Sequence, residues 1–124
     1  MNTAQKIKAL RKELHRNPEL SGQESATAQR IINFARQYHP SRIISPVGGN
    51  GLAIVYEFSG KGPCIMIRCE LDALPIEEAN AFEHRSVVKG ISHKCGHDGH
   101  MAIVAGLMSR IEEQSFTKGK IVLL

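Results

Sequence analysis

The chain has 124 residues, of which 42% are hydrophobic and 23% are charged. This length and this composition suffice for one compact hydrophobic core but not for two, and they argue against an intrinsically disordered chain. The formal net charge is +4, but the basic residues are scattered and Trp is absent, which argues against a nucleic-acid-binding surface.

No stretch of the sequence approaches the roughly 20 apolar residues that a membrane-spanning helix needs. Residues 1–12 are polar and lack the apolar core of a signal peptide, so the sequence predicts a cytoplasmic protein without a membrane partner. The three cysteines, Cys64, Cys69 and Cys95, are odd in number and unevenly spaced. They therefore argue against a disulfide framework and favour reduced thiols or a metal ligand.

Two amphipathic helices are predicted at the start of the chain. Thr3 can cap the first helix, and an Asn-Pro pair at residues 17–18 ends it, because proline disfavours helical geometry in the preceding residue. Ser21 and Glu24 have the spacing of a capping box, which predicts a second helix that extends to about residue 38.

Apolar segments between turn-forming residues predict the strands that follow. A short strand is expected at Ile43 and Ile44, and a longer one at residues 52–58. Residues 64–69 form a nearly continuous apolar run without a helical period, which is typical of a central strand covered on both faces. Cys64 and Cys69 are accordingly predicted to be core thiols.

The remainder of the chain is predicted to form a long loop, a helix and a strand. The loop is polar and irregular up to about residue 89, and the helix, from Asp98 or Gly99 to Glu113, is apolar almost all round, which implies burial between other elements. Residues 120–124 are typical of a buried strand. Alternation of helices and strands predicts an α/β fold with a central, mostly parallel or mixed sheet flanked by helices. Because the sequence stops on a core strand, we expect it to be part of a larger protein.

The densest chemical signal is the segment His-Lys-Cys-Gly-His-Asp-Gly-His at residues 93–100. Its thiol, imidazole and carboxylate groups suit a borderline or first-row divalent metal ion. In an extended segment His93, Cys95 and His97 would point to one side, because side-chain direction alternates along a strand. The alternative is a loop with ordinary surface histidines and a buried thiol. Randomly placed histidines would seldom cluster beside a cysteine in this way, so the sequence favours a metal site.

A small structural zinc module, in which Cys64 and Cys69 join Cys95 and His97, is a further alternative. The two upstream cysteines are five residues apart on a predicted strand, so they face opposite sides of the sheet. They cannot then converge on one ion.

Two acidic residues, Glu70 and Asp72, follow the predicted strand at residues 64–69. Ligands of α/β sheets bind just beyond the carboxyl ends of the strands. The two acids can be solvated loop residues or a helix cap, or they can be carboxylates that orient a metal-bound imidazole.

Three segments resemble, in this order, the metal-dependent amidohydrolases of the aminoacylase and carboxypeptidase superfamily. They are RKELHRNPELSGQE at residues 11–24, RCELDALPIEE at residues 68–78 and HKCGHDGHMAIVAGL at residues 93–107. The most similar branch contains hippurate hydrolase, indoleacetyl-amino-acid hydrolase and N-acyl-amino-acid amidohydrolase. The resemblance implies a metallopeptidase-like catalytic domain with two divalent metal ions, zinc or manganese, that hydrolyses the amide bond of N-acyl amino acids. A dipeptidase or aminopeptidase of the same superfamily, and a non-catalytic fragment, are the alternatives.

The resemblance also implies roles for individual residues. Cys95 and His97 match metal ligands, and Asp72 matches the family's acid beyond the strand, a catalytic-site residue that orients its neighbours. Glu70 stands where this branch usually has Asp. The first motif, with His15, is interpreted as structural. The family resemblance gives no ligand role to His93 and His100.

The resemblance covers only the N-terminal part of the family's catalytic domain. In the family, a strand like residues 120–124 leads into a segment with paired glutamates, one a general base and one a metal ligand. Further histidine ligands and a lid or dimerisation domain follow. We therefore expect residues 1–124 to be a partial catalytic domain, inactive alone, of a protein that binds a small-molecule substrate and can form homo-oligomers through the missing domain.

Overall fold

The computed structural model describes residues 1–124 and contains three α-helices and four strands. In chain order, the elements are α1 (Thr3–Arg16), α2 (Ser25–Ala35), a 3-10 turn (Arg36–Tyr38), β1 (Arg42–Val47), β2 (Gly51–Glu57), β3 (Gly60–Ile67), α3 (His97–Glu113) and β4 (Lys118–Leu123). The predicted α/β class and the order of helices and strands are confirmed. No helix is both long enough and apolar enough to cross a membrane.

The four strands form one mixed sheet in the order β1-β2-β4-β3. β1 and β4 both run antiparallel to β2, whereas β3 runs parallel to β4. β4 therefore lies inside the sheet, between β2 and β3, and its residues Val122 and Leu123 are buried. The prediction of a buried strand at the end of the sequence is confirmed.

Within residues 1–124, β3 lies at an edge of the sheet, and the prediction of a central strand covered on both faces is wrong there. Ile65 is 53% exposed and Met66, which points to the opposite face, is 58% exposed, so neither face of β3 is covered at these positions. Cys64 is also exposed, so it is not a core thiol, whereas Cys69 is half-buried and packs against the core. An apolar sequence shows that a strand can be covered, but it does not give the strand's position in the sheet.

Both N-terminal helices form as predicted, but with different caps. The N-cap of α1 is Asn2, not Thr3, and the side chains of Asn2 and Gln5 each accept a hydrogen bond from the other's backbone N–H at 2.9 Å. No side chain at residue 24 caps α2. Glu19 instead accepts hydrogen bonds from the backbone N–H and the hydroxyl of Thr27. Glu19 therefore satisfies donors in the first turn of α2. The predicted capping box at residues 21–24 does not form.

The main core joins all three helices to one face of the sheet. Leu52, Ile54 and Tyr56 of β2 point into this core, while the residues between them, Ala53 and Val55, belong to a smaller cluster on the opposite face. α3 buries one side, with Met101, Ala105 and Met108, but its Ile103 is 68% exposed. Burial of α3 on all sides, which its composition predicts, is therefore wrong within residues 1–124.

Candidate active site

The long segment between β3 and α3, residues 68–96, has neither a helix nor a strand, as predicted. Two backbone anchors hold it. The N–H of Ala73 donates to the carbonyl of Glu19 at 2.8 Å, and Leu74 and Ser92 exchange two backbone hydrogen bonds of 3.0 Å. These anchors bring the residues that follow β3 next to the residues that precede α3.

Three of the site residues expected from the sequence meet at Asp72. His97 Nδ1 lies 2.9 Å from the backbone oxygen of Asp72 and 3.0 Å from its carboxylate Oδ1. The Sγ of Cys95 lies 3.7 Å from the same backbone oxygen. A backbone carbonyl can only accept a hydrogen bond, so His97 carries its proton on Nδ1, and the lone pair on Nε2 is free to bind an ion.

Glu70 lies on the open side of the His97 ring. Its Oε2 is 3.4 Å from His97 Nε2, and its Oε1 is 3.0 Å from the Arg68 guanidinium. The carboxylate therefore stands beside the ring nitrogen that Asp72 leaves free.

The donors present fit part of a metal site. The thiol of Cys95 and the imidazole of His97 suit zinc and similar ions, and an imidazole whose other nitrogen donates to a carboxylate is the usual arrangement of a metal-bound histidine. No group of three or more His, Cys, Asp or Glu side chains in residues 1–124 is arranged to hold a metal ion. Because catalytic zinc usually takes about three protein ligands and water, a complete centre needs further donors.

His93 does not join Cys95 and His97, so the prediction that all three face one side is wrong. Residues 94–95 form a turn, which breaks the alternation of an extended segment. His93 is buried, and neither ring nitrogen has a hydrogen-bond partner. Burial, which penalises the charged form, lowers the pKa of His93 and favours its neutral ring.

The remaining histidine of the cluster, His100, is exposed on α3, and its ring centroid is 5.8 Å from that of His97. It makes no hydrogen bond to another side chain of the site. The structure thus places this ring next to the site without giving it a partner there.

A charge chain, consisting of Arg11, Asp98, His15, Glu78 and Lys94, lies behind the site, with three buried side chains in its middle and partly exposed Arg11 and Lys94 at its ends. The Asp98 side chain is fully buried, and its Oδ2 is hydrogen-bonded to His15 Nδ1 at 2.7 Å and forms an ion pair with Arg11 Nε at 2.9 Å. His15 Nε2 lies 3.1 Å from Glu78, and Glu78 lies 3.1 Å from the Lys94 ammonium. Basic and acidic side chains therefore alternate along the chain.

Opposing influences act on the pKa of Glu78. Burial acts to raise it, but hydrogen bonds from Asn80 and Lys94 and the nearby His15 ring outweigh burial, and the pKa is lowered. Glu78 is therefore held as a carboxylate. Sequence reasoning missed both Glu78 and Asp98 as partners of His15. The only signal for them is their position in the two downstream motifs.

A cavity of about 720 Å³ opens beside Glu70 and Asp72. Apolar side chains of β2, α3 and β4 line much of it, among them Leu52, Met108 and Leu123. The volume lies in the range of small-molecule binding sites, and the polar groups of the site stand at its margin.

A model of the peptidase family M20/M25/M40 matches residues 66–124. The N-acyl-L-amino acid amidohydrolase of Geobacillus stearothermophilus is 39% identical over 98 residues, which are 79% of this chain and 26% of that protein. The IAA-amino acid hydrolase ILR1-like 2 of Arabidopsis thaliana is 34% identical over 116 residues, 93% of this chain and 26% of that protein. The thermostable carboxypeptidase 2 of Saccharolobus solfataricus is 34% identical over 120 residues and is covered to 30%.

The fold is also similar to that of a solved structure, the Bacillus subtilis YXEP protein, described as a dinuclear metal binding peptidase from the M20 family. The TM-score is 0.89 at 32% identity, over 98% of this chain and 34% of that chain. A putative aminohydrolase from methicillin-resistant Staphylococcus aureus gives a TM-score of 0.80 at 34% identity, over 96% of this chain and 32% of that chain. The chain thus spans about a quarter to a third of the length of the relatives that it matches.

Proposed function

Because residues 66–124 belong to the peptidase family M20/M25/M40 and nearly the whole chain has the fold of an M20 member, we propose that it is part of the catalytic domain of a metal-dependent amidohydrolase. The substrates proposed are N-acyl amino acids. The names of two relatives, an N-acyl-L-amino acid amidohydrolase and an IAA-amino acid hydrolase, support this substrate class.

The observation that carries the proposal is the contact between His97 and Asp72. Two acceptors of Asp72 hold the proton on His97 Nδ1 and direct Nε2 away, with Cys95 beside the same carbonyl. In the proposed centre, Cys95 and His97 are metal ligands, and Asp72 fixes the tautomer and orientation of His97.

Two divalent ions, zinc or manganese, held in part by Cys95 and His97, would polarise the scissile carbonyl and lower the pKa of water. The residues of this chain contribute donors and orientation to that chemistry. Glu70, beside His97 Nε2, places a second carboxylate at the edge of the cavity. The cavity beside it offers apolar surface of a size that suits an acyl group.

The test is a substrate panel on the full-length protein that carries this sequence, with zinc or manganese supplied. N-acetyl and N-benzoyl amino acids are expected to be hydrolysed, and the His97→Ala variant is expected to lose this activity. If none of the panel is hydrolysed, the enzyme hypothesis is wrong. The isolated 124-residue chain should bind metal weakly and show no amidase activity, because two donors do not close a site.

Hydrolysis of peptides is the second candidate function. It is favoured by the similarity to a thermostable carboxypeptidase and to a dinuclear metal binding peptidase. Dipeptides in the same panel distinguish the two candidates, since preferential release of amino acids from dipeptides would identify a peptidase. A third possibility is a non-catalytic fragment, and the reading frame after residue 124 tests it. A continuation with adjacent glutamates supports an enzyme, whereas an immediate stop codon favours a non-catalytic fragment.

A further inference from the structure

The segment from Cys95 to His97 is held on both sides by members of the charge chain. Lys94, which precedes Cys95, pairs with Glu78 at 3.1 Å, and Asp98, which follows His97, pairs with His15 at 2.7 Å. His15 contacts both acids, one through each ring nitrogen. One imidazole on α1 is thus connected to both ends of the segment that bears the two donors.

The local backbone holds only one side of the segment. Gly96 is the N-cap of α3, and its carbonyl accepts hydrogen bonds from the N–H groups of Gly99 and His100 at 3.0 and 3.1 Å, so His97 is fixed to the start of the helix. Cys95 lies outside the helix, beyond a glycine with a φ of 84°, so these helical bonds alone do not set the distance between its thiol and the His97 ring. Contacts to other parts of the fold must set it.

The charge chain is suited to this task because its three middle members are buried, although Asp98 Oδ1 has no hydrogen-bond partner. The side chains of His15, Asp98 and Glu78 are each at most 5% exposed, so water screens their attraction little. One ring nitrogen of His15 faces each of the two carboxylates, so the imidazole links Asp98 to Glu78. Asp98 also lies in the first turn of α3, where a negative charge is favoured by the helix dipole.

We propose that His15 is a positioning residue for the metal centre, and that it sets the separation and orientation of Cys95 and His97 by holding Asp98 and, through Glu78, Lys94. This inference rests on the proposed function, because it assigns His15 a role toward the ions that Cys95 and His97 bind there. His15 itself contacts neither ligand and is not a metal donor, since both of its nitrogens face carboxylates.

The experiment compares metal binding by variants of the full-length protein. His15→Gln keeps a polar side chain but cannot donate to both acids. Removing a partner behind a metal ligand typically costs about 10- to 100-fold in metal affinity, and we expect a loss in this range for cobalt and zinc, measured by competition with a chelator. The cobalt form should also show a weakened thiolate-to-cobalt absorption band, because that band requires the Cys95 sulfur at bonding distance.

Tyr56→Phe is the matched control. It removes a buried hydrogen bond of 3.0 Å from the Tyr56 hydroxyl to the carbonyl of Tyr38, remote from the charge chain. Its melting temperature should fall while its cobalt affinity and spectrum stay those of the wild type. A merely structural role of His15 predicts the same pattern for both variants.

A second variant covers the case in which His15→Gln does not fold. Arg11→Gln removes only the outer member of the chain, whose side chain is 43% exposed, and should weaken cobalt binding by a factor of up to about ten. Unchanged affinity and spectrum in every folded variant of the charge chain would overturn the inference while leaving the proposed function intact. A wild-type protein that binds no divalent metal would overturn the proposed function, and the inference with it.

Discussion

Replacing Asp72 by Asn tests whether this residue orients His97 or binds the metal directly. The Asp72→Asn variant keeps the size of the side chain and an oxygen that can accept from His97 Nδ1. The backbone oxygen of residue 72, at 2.9 Å from Nδ1, is unchanged and continues to accept. The tautomer of His97 should therefore persist, and only the negative charge behind the ring is lost.

The size of the effect follows from these two acceptors. A hydrogen bond to a charged group contributes about 1.5–3 kcal/mol and a neutral one about 0.5–1.5 kcal/mol, so removing the charge costs on the order of 1 kcal/mol. The Asp72 side chain is 29% exposed, which favours the lower part of the range. At about 1.4 kcal/mol for each factor of ten, a cost of about 1 kcal/mol should lower zinc affinity by a factor of roughly five.

The assay is zinc competition with a chelator on the full-length wild-type protein and the Asp72→Asn variant, at one pH. An unchanged affinity would mean that the carboxylate does not act on His97. A loss on the order of a thousandfold or more would mean that Asp72 is itself a metal ligand, since that exceeds what an orienting group contributes. Either result would refute the role assigned to Asp72 here.

Three further predictions concern the cysteines, His97 and Glu78. Cys95→Ser and His97→Ala should each lower metal content and turnover together. Cys64→Ser, which replaces an exposed thiol of β3, should change neither. If elemental analysis finds a full metal complement in Cys95→Ser, Cys95 is not a metal ligand. Burial raises the pKa of Cys69 to about 11, so in the 124-residue chain its alkylation should lag behind that of Cys64 at neutral pH and accelerate toward pH 11, as peptide mass spectrometry can measure. The pKa of Glu78 is lowered from 4.5, so its stabilising contribution is present above pH 4.5 and disappears as the pH falls through the lower folded-state value. Glu78→Gln should therefore flatten the acid dependence of the melting temperature, and an unchanged acid profile would contradict the pairing.

The elements predicted correctly are those that local patterns determine. The apolar periodicity of α1 and α2 and the β-branched run of β4 follow from contacts within a few residues of each other. The position of β3 depends instead on which strands pair with it, and this is a property of the whole sheet. A run of apolar residues such as Ile65-Met66-Ile67 fits a central strand and an edge strand equally well, so its placement could not be predicted.

The residues of the candidate site likewise divide into those that the local sequence predicts and those that depend on distant parts of the chain. Cys95 and His97 could be proposed as ligands because thiol, imidazole and carboxylate groups cluster within residues 93–100, a set of donors that suits a divalent metal ion. The partners of His15 cannot be recognised from the sequence, because Asp98 and Glu78 are 83 and 63 residues away from it. In the sequence, Glu78 has the appearance of an ordinary loop residue and Asp98 that of an ordinary acid in the first turn of a helix. His93 was misplaced because the assumption of an extended segment fails at the turn of residues 94–95.

The contacts that orient Cys95 and His97, the metal ligands proposed here, lie entirely within residues 1–124. The loop that bears Asp72 is anchored at Ala73 and Leu74, and Asp72 in turn fixes His97 through two acceptors. Donors that are already oriented lose little conformational freedom when an ion binds, so less of the binding free energy is spent on ordering them. The remaining ligands of a complete centre would then have to supply coordination and charge, but not the geometry of Cys95 and His97. The proposed role of the charge chain accounts for Asp98, which touches no donor atom of the site but is fully buried and paired with Arg11 and His15.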